Sequence, residues 1–360
     1  MRYLLDSGKT LIVRGPASLR LLSGRATALC APLRSRKLVV RQERQLPIET
    51  STGAHLEILL GELGSIFEVD GSTIPRSWYS ALDALIEMDQ GKVVIVGATD
   101  VGKSTLSTFL ANGLLKNKIS SRIVDADIGQ ADVGPPTTVG SAVPSSYLSS
   151  LVDLVPSALI FIGHTSPTRV QPKLLNGIRR LLNNRQQSLT IINTDGWVSD
   201  PDAIVYKAAL IEAIRPDLVL GIAIGRELEP ILSRAAAISM QIEAPATILM
   251  RSRRDRREIR AAAYRRFLDG GKTRTYSVRE IHVRLPYGLP QTESARTSEL
   301  GNLVVGLLDS EGYLLQIGVL LALEEDLVKV YSRPADHLRE IELGYVKLSA
   351  AGAELGYLEF

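Results

Sequence analysis

Hydrophobic and polar positions change their spacing twice along the chain. Residues 1–86 hold short apolar runs that alternate with polar positions, such as TLIVRG and KLVVRQ, and Gly, Pro and Ser interrupt them. This pattern predicts a small β-sandwich or barrel. The apolar spacing of SWYSALDALIEM, which follows Ile74 and Pro75, predicts a helix that leads into the next domain.

The middle of the chain has near-continuous apolar runs that alternate with helical stretches. The predicted strands are residues 92–96, 121–126, 158–163, 189–193, 217–222 and 246–250. Such runs are typical of a parallel sheet that is covered on both faces. We therefore predict an α/β nucleotide-binding domain of the P-loop NTPase type over residues 87–270. Short alternating strands return afterwards and predict a C-terminal β domain over residues 271–360.

A glycine-rich loop follows the first strand of the predicted parallel sheet. The nine residues GATDVGKST match the pattern G-x-x-x-x-G-K-S/T and precede the helical stretch STLSTFLANGLL. In such a loop the backbone N–H groups surround phosphate, and the helix N-terminus contributes the positive end of its dipole. Lys103 reaches the outer phosphates and the Ser104 hydroxyl can bind Mg²⁺. The predicted nucleotide-binding residues are Gly97, Thr99, Asp100, Val101, Gly102, Lys103, Ser104 and Thr105.

Two aspartates end the next predicted strand, in the string DADIGQ. Ligands of open α/β sheets collect at the carboxyl ends of the strands, so these carboxylates are expected beside the phosphate loop. One of the two carboxylates can hold Mg²⁺ through water, and we predict Asp125 for this role, while a second can orient or deprotonate a nucleophile. Gln130 is predicted to contact substrate. A structural role for Asp125, as the cap of the following turn, fits the sequence equally well.

The same string also resembles the D-x-x-G-Q motif of GTPases. A GTPase needs a switch segment between its phosphate loop and this motif, but the interval here holds only one helix and one strand. The chain also lacks an N-K-x-D guanine signature and the L-S-G-G-Q of transport ATPases. A GTPase switch is therefore the less favoured alternative.

Basic charge is concentrated in one short segment. The chain has a formal net charge of +3, yet residues 251–274 carry nine Arg and one Lys against three acidic side chains, and the remainder is net negative. Arginines recur there with helical spacing, which predicts a one-sided guanidinium face. Such a face can neutralise a transferred phosphoryl group or hold substrate phosphates. A solvated basic face or a weak nucleic-acid patch is the alternative.

A tryptophan lies where the active crevice of the predicted sheet opens. Thr194, Gly196 and Trp197 directly follow the predicted strand LTIIN. An indole at this edge can stack on an unpaired base, although a packing role is the ordinary alternative. Thr165, in the string GHTSP after another strand, can line the substrate groove. That string alone is weak evidence, because Ser-Pro after a strand usually marks a turn.

Composition excludes several other classes of protein. The single cysteine, Cys30, rules out an internal disulfide and fits a reducing compartment, so a cytoplasmic location is expected. No stretch of about 18 apolar residues and no cleavage signal occur, so neither export nor a membrane span is predicted. The four histidines lack the spacing of metal ligands. A monomer is favoured, although nothing in the sequence fixes the oligomeric state.

The strings GATDVGKST, DADIGQ, GHTSP, NTDGW and RSRRDRREIR, in this order, resemble the polynucleotide 5'-hydroxyl kinase family. Its members act in messenger RNA 3'-end formation, transfer RNA splicing and ribosomal RNA processing. The resemblance covers nearly the whole chain and implies a kinase domain between two small β domains. Because the long charged extensions of larger eukaryotic members are absent, a compact archaeal-type enzyme is expected. Ala98 stands where many members have proline, a change that leaves the backbone role of the loop intact.

The resemblance also implies an activity and a set of roles. The expected reaction is ATP- and Mg²⁺-dependent phosphorylation of a 5'-hydroxyl end, on single-stranded or end-exposed RNA or DNA. An inactive ATP-bound scaffold of RNA processing is the alternative. Asp127 would activate the attacking hydroxyl, and the turn from Thr194 to Trp197 would hold the terminal nucleotides. The implied lid arginines are Arg256 and Arg260, with Arg253 and Arg257 as substitutes.

Overall fold

The computed structural model describes residues 1–183, 189–289 and 300–359. The chain begins with strands that the alternating pattern predicted. They are β1 (Arg2–Leu5), β2 (Lys9–Arg14), β3 (Ala17–Gly24), β4 (Thr27–Ala28), β5 (Ala31–Pro32), β6 (Leu38–Val40), β7 (Gln45–Glu49), β8 (Ala54–Leu60) and β9 (Ser65–Asp70). They form two sheets, of order β1-β8-β3-β6 and β5-β4-β7-β2-β9. Alternate positions face the core, as the burial of Leu56 and Ile58 in β8 illustrates.

Helices and strands alternate in the middle of the chain. The elements are α1 (Arg76–Met88), β10 (Gly91–Gly97), α2 (Lys103–Lys116), β11 (Ser121–Ala126), β12 (Thr138–Ala142), β13 (Ala158–Phe161), α3 (Gln171–Leu182), β14 (Leu189–Thr194), α4 (Pro201–Ile214), β15 (Leu218–Ala223), α5 (Glu229–Leu232), β16 (Ile238–Glu243) and α6 (Arg253–Leu268). No helix among the described residues combines the length and hydrophobicity that a membrane span requires.

Short strands return after α6. They are β17 (Lys272–Ser277), β18 (His282–Arg284), β19 (Leu303–Leu308), β20 (Leu314–Leu323), β21 (Leu327–Ser332), β22 (Glu340–Leu348) and β23 (Glu354–Tyr357). Their sheet has the order β17-β21-β20-β19-β22-β18, and β23 pairs with β22. The predicted α/β fold with flanking β-rich regions is confirmed.

The chain divides into two compact units, each of which combines separate stretches of sequence. The first unit comprises Met1–Ile123, Val143–Leu154 and Gln186–Arg251, and the second comprises Val124–Ala142, Val155–Arg185 and Ser252–Phe360. These two groups of residues are called the first and second units below. The division into domains 1–86, 87–270 and 271–360 remains a prediction.

Parallel strands form the centre of the first unit. β14, β10, β15 and β16 follow one another in the sheet, with Gly91 opposite Leu189 and Leu218 opposite Ile238. The side chains of Val93, Val94, Ile95 and Val96 in β10 are completely buried, so both faces of this strand are covered. Continuous apolar runs are therefore required there, which is why this strand was predicted correctly.

One predicted strand was wrong. Residues 246–250 lie outside the sheet, and the strand that pairs with β15 is Ile238–Glu243 instead. Most of β16 is exposed, and Ile238 is 76% exposed. An edge strand of this kind needs no continuous apolar run, so its sequence ISMQIE lacks the pattern of a buried strand.

The core of the second unit joins β13 and α6 to the C-terminal sheet. Buried side chains of these elements form one cluster: Phe161, Tyr264, Leu268, Val304, Leu308, Leu314, Ile317, Val319, Val346 and Leu348. β12 and β13 pair antiparallel in this unit. Because β12 has the short, glycine-containing sequence TVGSA, the pattern of apolar runs did not predict it.

Candidate functional site

The phosphate loop connects β10 to α2 in the first unit. A Cβ atom on Gly97 would lie 2.7 Å from the Ile222 carbonyl oxygen and 2.9 Å from a methyl group of Val101, so only glycine fits. Gly102 caps α2 with φ of 102°, a conformation that glycine adopts without strain. The sequence thus permits the tight turn that directs backbone N–H groups of the loop and the first helical turn toward a common point.

Lys103 and Ser104 lie in the first turn of α2. Lys103 is 6% exposed, and its Nζ donates to the Ala98 carbonyl at 2.7 Å, so the ammonium lies within the curve of the loop. Nδ2 of Asn193 lies 3.3 Å from the Ser104 hydroxyl oxygen and donates to it. Asn193 was not among the predicted residues. A polar residue next to the end of the apolar strand LTIIN was the only signal for it.

The turn after β14 packs directly on the phosphate loop. The Thr194 hydroxyl donates to the Ile95 carbonyl at 2.8 Å, which fixes the end of β14 to β10. A Cβ atom on Gly196 would lie 2.7 Å from the backbone nitrogen of Thr99, so glycine is required for this close approach. The structure therefore brings two of the predicted groups of residues, the loop and the Thr194–Trp197 turn, into contact.

Trp197 is half-buried, and Asp200 and Tyr206 fix its side chain. Its Nε1 donates to Asp200 at 2.6 Å, and its ring stacks on Tyr206 with the ring centroids 5.6 Å apart and the planes 26° apart. Tyr206 therefore covers one face of the indole.

A buried ion pair between Asp195 and Lys207 stabilises the turn after β14. Asp195 is 5% exposed and accepts hydrogen bonds from Nζ of Lys207 and from the Tyr206 hydroxyl, both at 2.8 Å. The same Nζ donates to the Asp195 carbonyl at 2.9 Å, and Lys207 is completely buried. Neither Asp195 nor Lys207 was predicted as a site residue. A lone lysine on the apolar surface of helix α4 was the available signal.

Asp125 is a fully buried carboxylate in the second unit. It accepts hydrogen bonds from the amides of Asp132 at 2.6 Å, Val133 at 3.0 Å and Asp127 at 3.3 Å. Burial, with the charges of Asp132 and then Asp127, raises the pKa of Asp125 to about 7. The capping interaction that the sequence allowed is thus present, and it fixes the turn that follows β11.

Asp127 is more accessible than Asp125. One of its carboxylate oxygens accepts the amides of Gly129 at 3.1 Å and Gln130 at 2.9 Å, which closes the DIGQ turn. Nε2 of Gln130 donates to the Gly129 carbonyl at 3.0 Å. A Cβ atom on Gly129 would lie 2.6 Å from the Thr165 carbonyl oxygen. Within the second unit, the DIGQ turn and the GHTSP loop therefore lie against each other.

The GHTSP loop is also tied to the C-terminal strand β23. The Thr165 and Tyr357 hydroxyl oxygens are 2.6 Å apart and hydrogen-bonded. The His164 ring contacts the rings of Tyr345 and Tyr357, each at a centroid distance of 5.4 Å, and its Nδ1 accepts a hydrogen bond from the Ser166 amide. The turn that Ser-Pro predicted is present, because Ser166 caps a short 3₁₀ helix at Pro167–Arg169.

The arginine-rich helix begins two residues later than the start of its string. Ser252 caps the helix in a capping box with Asp255, so Arg251 lies outside it. Arg260 makes a two-pronged ion pair with Glu354 of β23, and Arg257 donates to the Glu354 carbonyl at 3.2 Å. Arg253 is exposed and Arg256 is half-buried. Two of the four predicted arginines, Arg257 and Arg260, therefore bind Glu354. The sequence pattern did not indicate Glu354.

Known proteins resemble this chain over most of its length. Residues 97–270 match the family model described as mRNA cleavage and polyadenylation factor CLP1 P-loop. The matched segment contains the phosphate loop, the turn after β14 and helix α6. The resemblance to polynucleotide 5'-hydroxyl kinases that the motifs indicated is confirmed, and nucleotide binding is implied by this family.

Relatives in archaea share about a quarter of their residues with this chain. The polyribonucleotide 5'-hydroxyl-kinase of Pyrococcus horikoshii is 27% identical over 340 residues, which covers 79% of this chain and 94% of that protein. The kinase of the same name from Methanocaldococcus jannaschii is 24% identical and covers 79% and 95%. A chain in a solved Clp1p–Pcf11p complex matches with a TM-score of 0.73 at 12% identity, over 96% of this chain and 97% of that one. That likeness shows a shared fold.

Proposed function

We propose that this protein transfers the γ-phosphoryl group of ATP to the 5'-hydroxyl end of RNA. The contact between Gly196 and Thr99 carries the proposal, because it places the predicted nucleotide-holding turn directly on the phosphate loop. A kinase needs its acceptor next to the donor phosphates, since positioning supplies much of the acceleration of phosphoryl transfer. The names of the archaeal relatives support the same reaction.

The donor ATP would be held by the phosphate loop. Backbone N–H groups at the start of α2 and the Lys103 ammonium would bind its phosphates. The Ser104 hydroxyl fits a Mg²⁺ ligand, because it lies in the first turn of α2 and Asn193 orients it. Asp125 accepts backbone amides on both carboxylate oxygens, so it would contact the ion only through water. Bound there, Mg²⁺ would neutralise negative charge on the phosphates.

The acceptor end would be held by the turn after β14. Tyr206 covers one face of Trp197, so a terminal base would stack on the opposite face. The Lys207–Asp195 pair fixes the backbone of this turn, which keeps the indole in one orientation. Stacking tolerates any base, so binding would depend little on sequence.

The remaining roles belong to side chains of the second unit. We assign activation of the 5'-hydroxyl to Asp127 and substrate contacts to Gln130 and Thr165. Arginines of α6 would neutralise charge on the transferred phosphoryl group. Arg256 and Arg260 remain the proposed lid residues, with Arg253 and Arg257 as substitutes. No covalent intermediate is required, because the hydroxyl attacks phosphorus and ADP leaves.

The test is transfer of label from γ-labelled ATP to a 5'-hydroxyl RNA oligonucleotide in the presence of Mg²⁺. Wild-type protein should label RNA, and Lys103→Ala should reduce the rate by about a hundredfold or more. Lys116→Ala, a change of the same kind on the exposed end of α2, serves as control. ATP binding without any label on RNA would reject the kinase proposal and favour an inactive scaffold.

A matched DNA oligonucleotide in the same assay would establish the choice of acceptor. Stacking on Trp197 and contacts to phosphate do not involve the ribose 2'-hydroxyl, whereas the archaeal relatives are named for polyribonucleotides. We propose RNA as the principal substrate and a single-stranded or exposed end as its form. A monomeric state and a cytoplasmic location remain predictions.

A further inference from the structure

An arginine outside the arginine-rich helix contacts the phosphate loop. Nη1 of Arg251 lies 3.1 Å from one carboxylate oxygen of Asp100, and the Arg251 backbone amide donates to the other oxygen at 3.1 Å. The Asp100 side chain is 4% exposed and that of Arg251 is 18% exposed, so the pair is largely shielded from water. Asp100 is the fourth residue of the loop motif, so its negative charge lies in a loop that is proposed to bind phosphates.

The same guanidinium reaches the N-terminal β region. Nε and Nη2 of Arg251 both donate to the Glu43 carbonyl, at 3.2 Å and 2.9 Å. Glu43 and Asp100 have positive φ angles, of 58° and 63°, in the left-handed region that most side chains avoid and that aspartate and asparagine adopt more readily. One guanidinium therefore binds the carbonyl of Glu43 and the carboxylate of Asp100, two residues with left-handed backbone conformation, and Asp100 lies in the phosphate loop.

The segment that carries Arg251 lies along the loop at a second point. Pro245 packs on Gly102, where a Cβ atom would lie 3.3 Å from its Cδ. Between these contacts, the Thr247 carbonyl accepts a hydrogen bond from Gln45 of β7 at 2.6 Å. Residues 245–251 thus connect β7 and its preceding turn to both sides of the loop.

The ion pair with Arg251 offsets the negative charge of Asp100 in the phosphate loop. An unpaired Asp100 carboxylate in the loop would repel each added phosphate group, and shielding from water would strengthen the repulsion. We propose that Arg251 is a positioning residue for the nucleotide: it cancels the charge of Asp100 and holds the loop in its phosphate-binding shape against Glu43. The loop thereby tolerates a triphosphate although it contains an acidic residue. This inference rests on the proposed nucleotide site and not on the acceptor or the transfer reaction.

The experiment measures the affinities of ATP, ADP and AMP by calorimetry for four proteins. These are wild type, Arg251→Met, Asp100→Asn and the double variant. Arg251→Met should weaken ATP binding by roughly tenfold or more, with a smaller loss for ADP and the smallest for AMP. The double variant should recover affinity to within about threefold of wild type, because asparagine tolerates the left-handed conformation and carries no charge. Arg226→Met, at an exposed arginine of the same unit, is the matched control.

Three results would overturn the proposal. These are unchanged ATP affinity in Arg251→Met, a double variant as weak as the single one, and equal losses for all three nucleotides. If Arg251→Met does not fold, Arg251→Lys is compared with Asp100→Asn/Arg251→Lys. Lysine keeps the positive charge but cannot make the two hydrogen bonds to the Glu43 carbonyl, so Arg251→Lys should bind ATP with intermediate affinity. If both lysine variants bind ATP as tightly as wild type, the proposed role of Arg251 is contradicted. Wild type that binds ATP and labels no RNA would reject the kinase function and leave this inference standing.

Discussion

At the scale of single residues, the candidate site depends on hydrogen bonds and ion pairs between side chains that are far apart in sequence. The Ser104 hydroxyl accepts a hydrogen bond from Asn193, and the neighbouring turn contains the ion pair of Asp195 and Lys207. In the phosphate loop, Asp100 is bound by Arg251. The local pattern of apolar positions contains no information about which side chains meet across such distances in sequence. The glycines, by contrast, were predictable, because a tight loop requires them wherever it folds.

His164 is a residue whose protonation should affect stability. Burial lowers the pKa of His164, and the charge of Arg169 lowers it further. Its Nδ1 accepts a hydrogen bond from the Ser166 amide, and its ring is packed against Tyr345 and Tyr357, so the folded state favours the neutral ring. The unfolded chain takes up the proton first as pH falls. The stability from the neutral ring is therefore complete above a pH of about 6.5 and is lost below it.

The measurement compares the melting temperatures of wild type and His164→Asn between pH 7.5 and 5. Asparagine keeps an acceptor for the Ser166 amide and does not titrate. Wild type should lose stability relative to the variant as pH falls below about 6.5. Parallel pH profiles for the two proteins would show that His164 does not contribute. His282→Asn, at a histidine that is largely exposed, is the control.

At the scale of elements, patterning succeeded where a strand is covered on both faces and failed at the sheet edge. Residues 93–96 of β10 are all apolar because both faces of the strand are buried there, and α2 follows a loop whose motif marks its start. β16 is an exposed edge strand and has no continuous apolar run. The prediction therefore assigned the last strand to residues 246–250 instead. Burial on two faces leaves a signal in the sequence, whereas pairing at one edge leaves little.

The attachment of α6 to β23 gives a prediction about an element. Glu354 is nearly buried and binds Arg260 through both carboxylate oxygens. Glu354→Gln should weaken this charge-assisted pair by about 2 kcal/mol. Amide hydrogen exchange in residues 253–268 and 354–357 should then become faster, while exchange in α2 stays unchanged. Equal protection of α6 in both proteins would mean that apolar packing of Tyr264 and Leu268 holds the helix.

At the scale of the whole molecule, the compact units do not follow contiguous stretches of sequence. Each combines three segments that alternate along the chain. In the second unit, Tyr264 and Leu268 of α6 pack with Val319 and Val346 of the C-terminal sheet. The loss of that sheet would expose their apolar surface, at a cost of about 1.5 to 3 kcal/mol for each large side chain.

A truncated protein tests this interdependence. Residues 87–270, the predicted kinase domain, should not retain a folded α6 when residues 271–360 are removed. Limited proteolysis should cut the truncated protein after arginines of α6 that resist cleavage in the full chain. A truncated protein with the same resistance at α6 would instead support an autonomous domain with the predicted boundaries. Circular dichroism would establish whether the rest of the truncated protein folds.

The sequence by itself determined the fold class, the phosphate loop and the family resemblance, because covered strands and a phosphate-binding turn impose residue types on consecutive positions. Only the tertiary structure decided what surrounds the loop. It showed that Gly196 packs on Thr99, that Lys207 binds Asp195 in the turn that precedes Trp197, and that Arg251 forms an ion pair with Asp100. These partners are up to about 150 residues apart in sequence. Their pairing depends on how the strands and helices pack, and no local pattern encodes it.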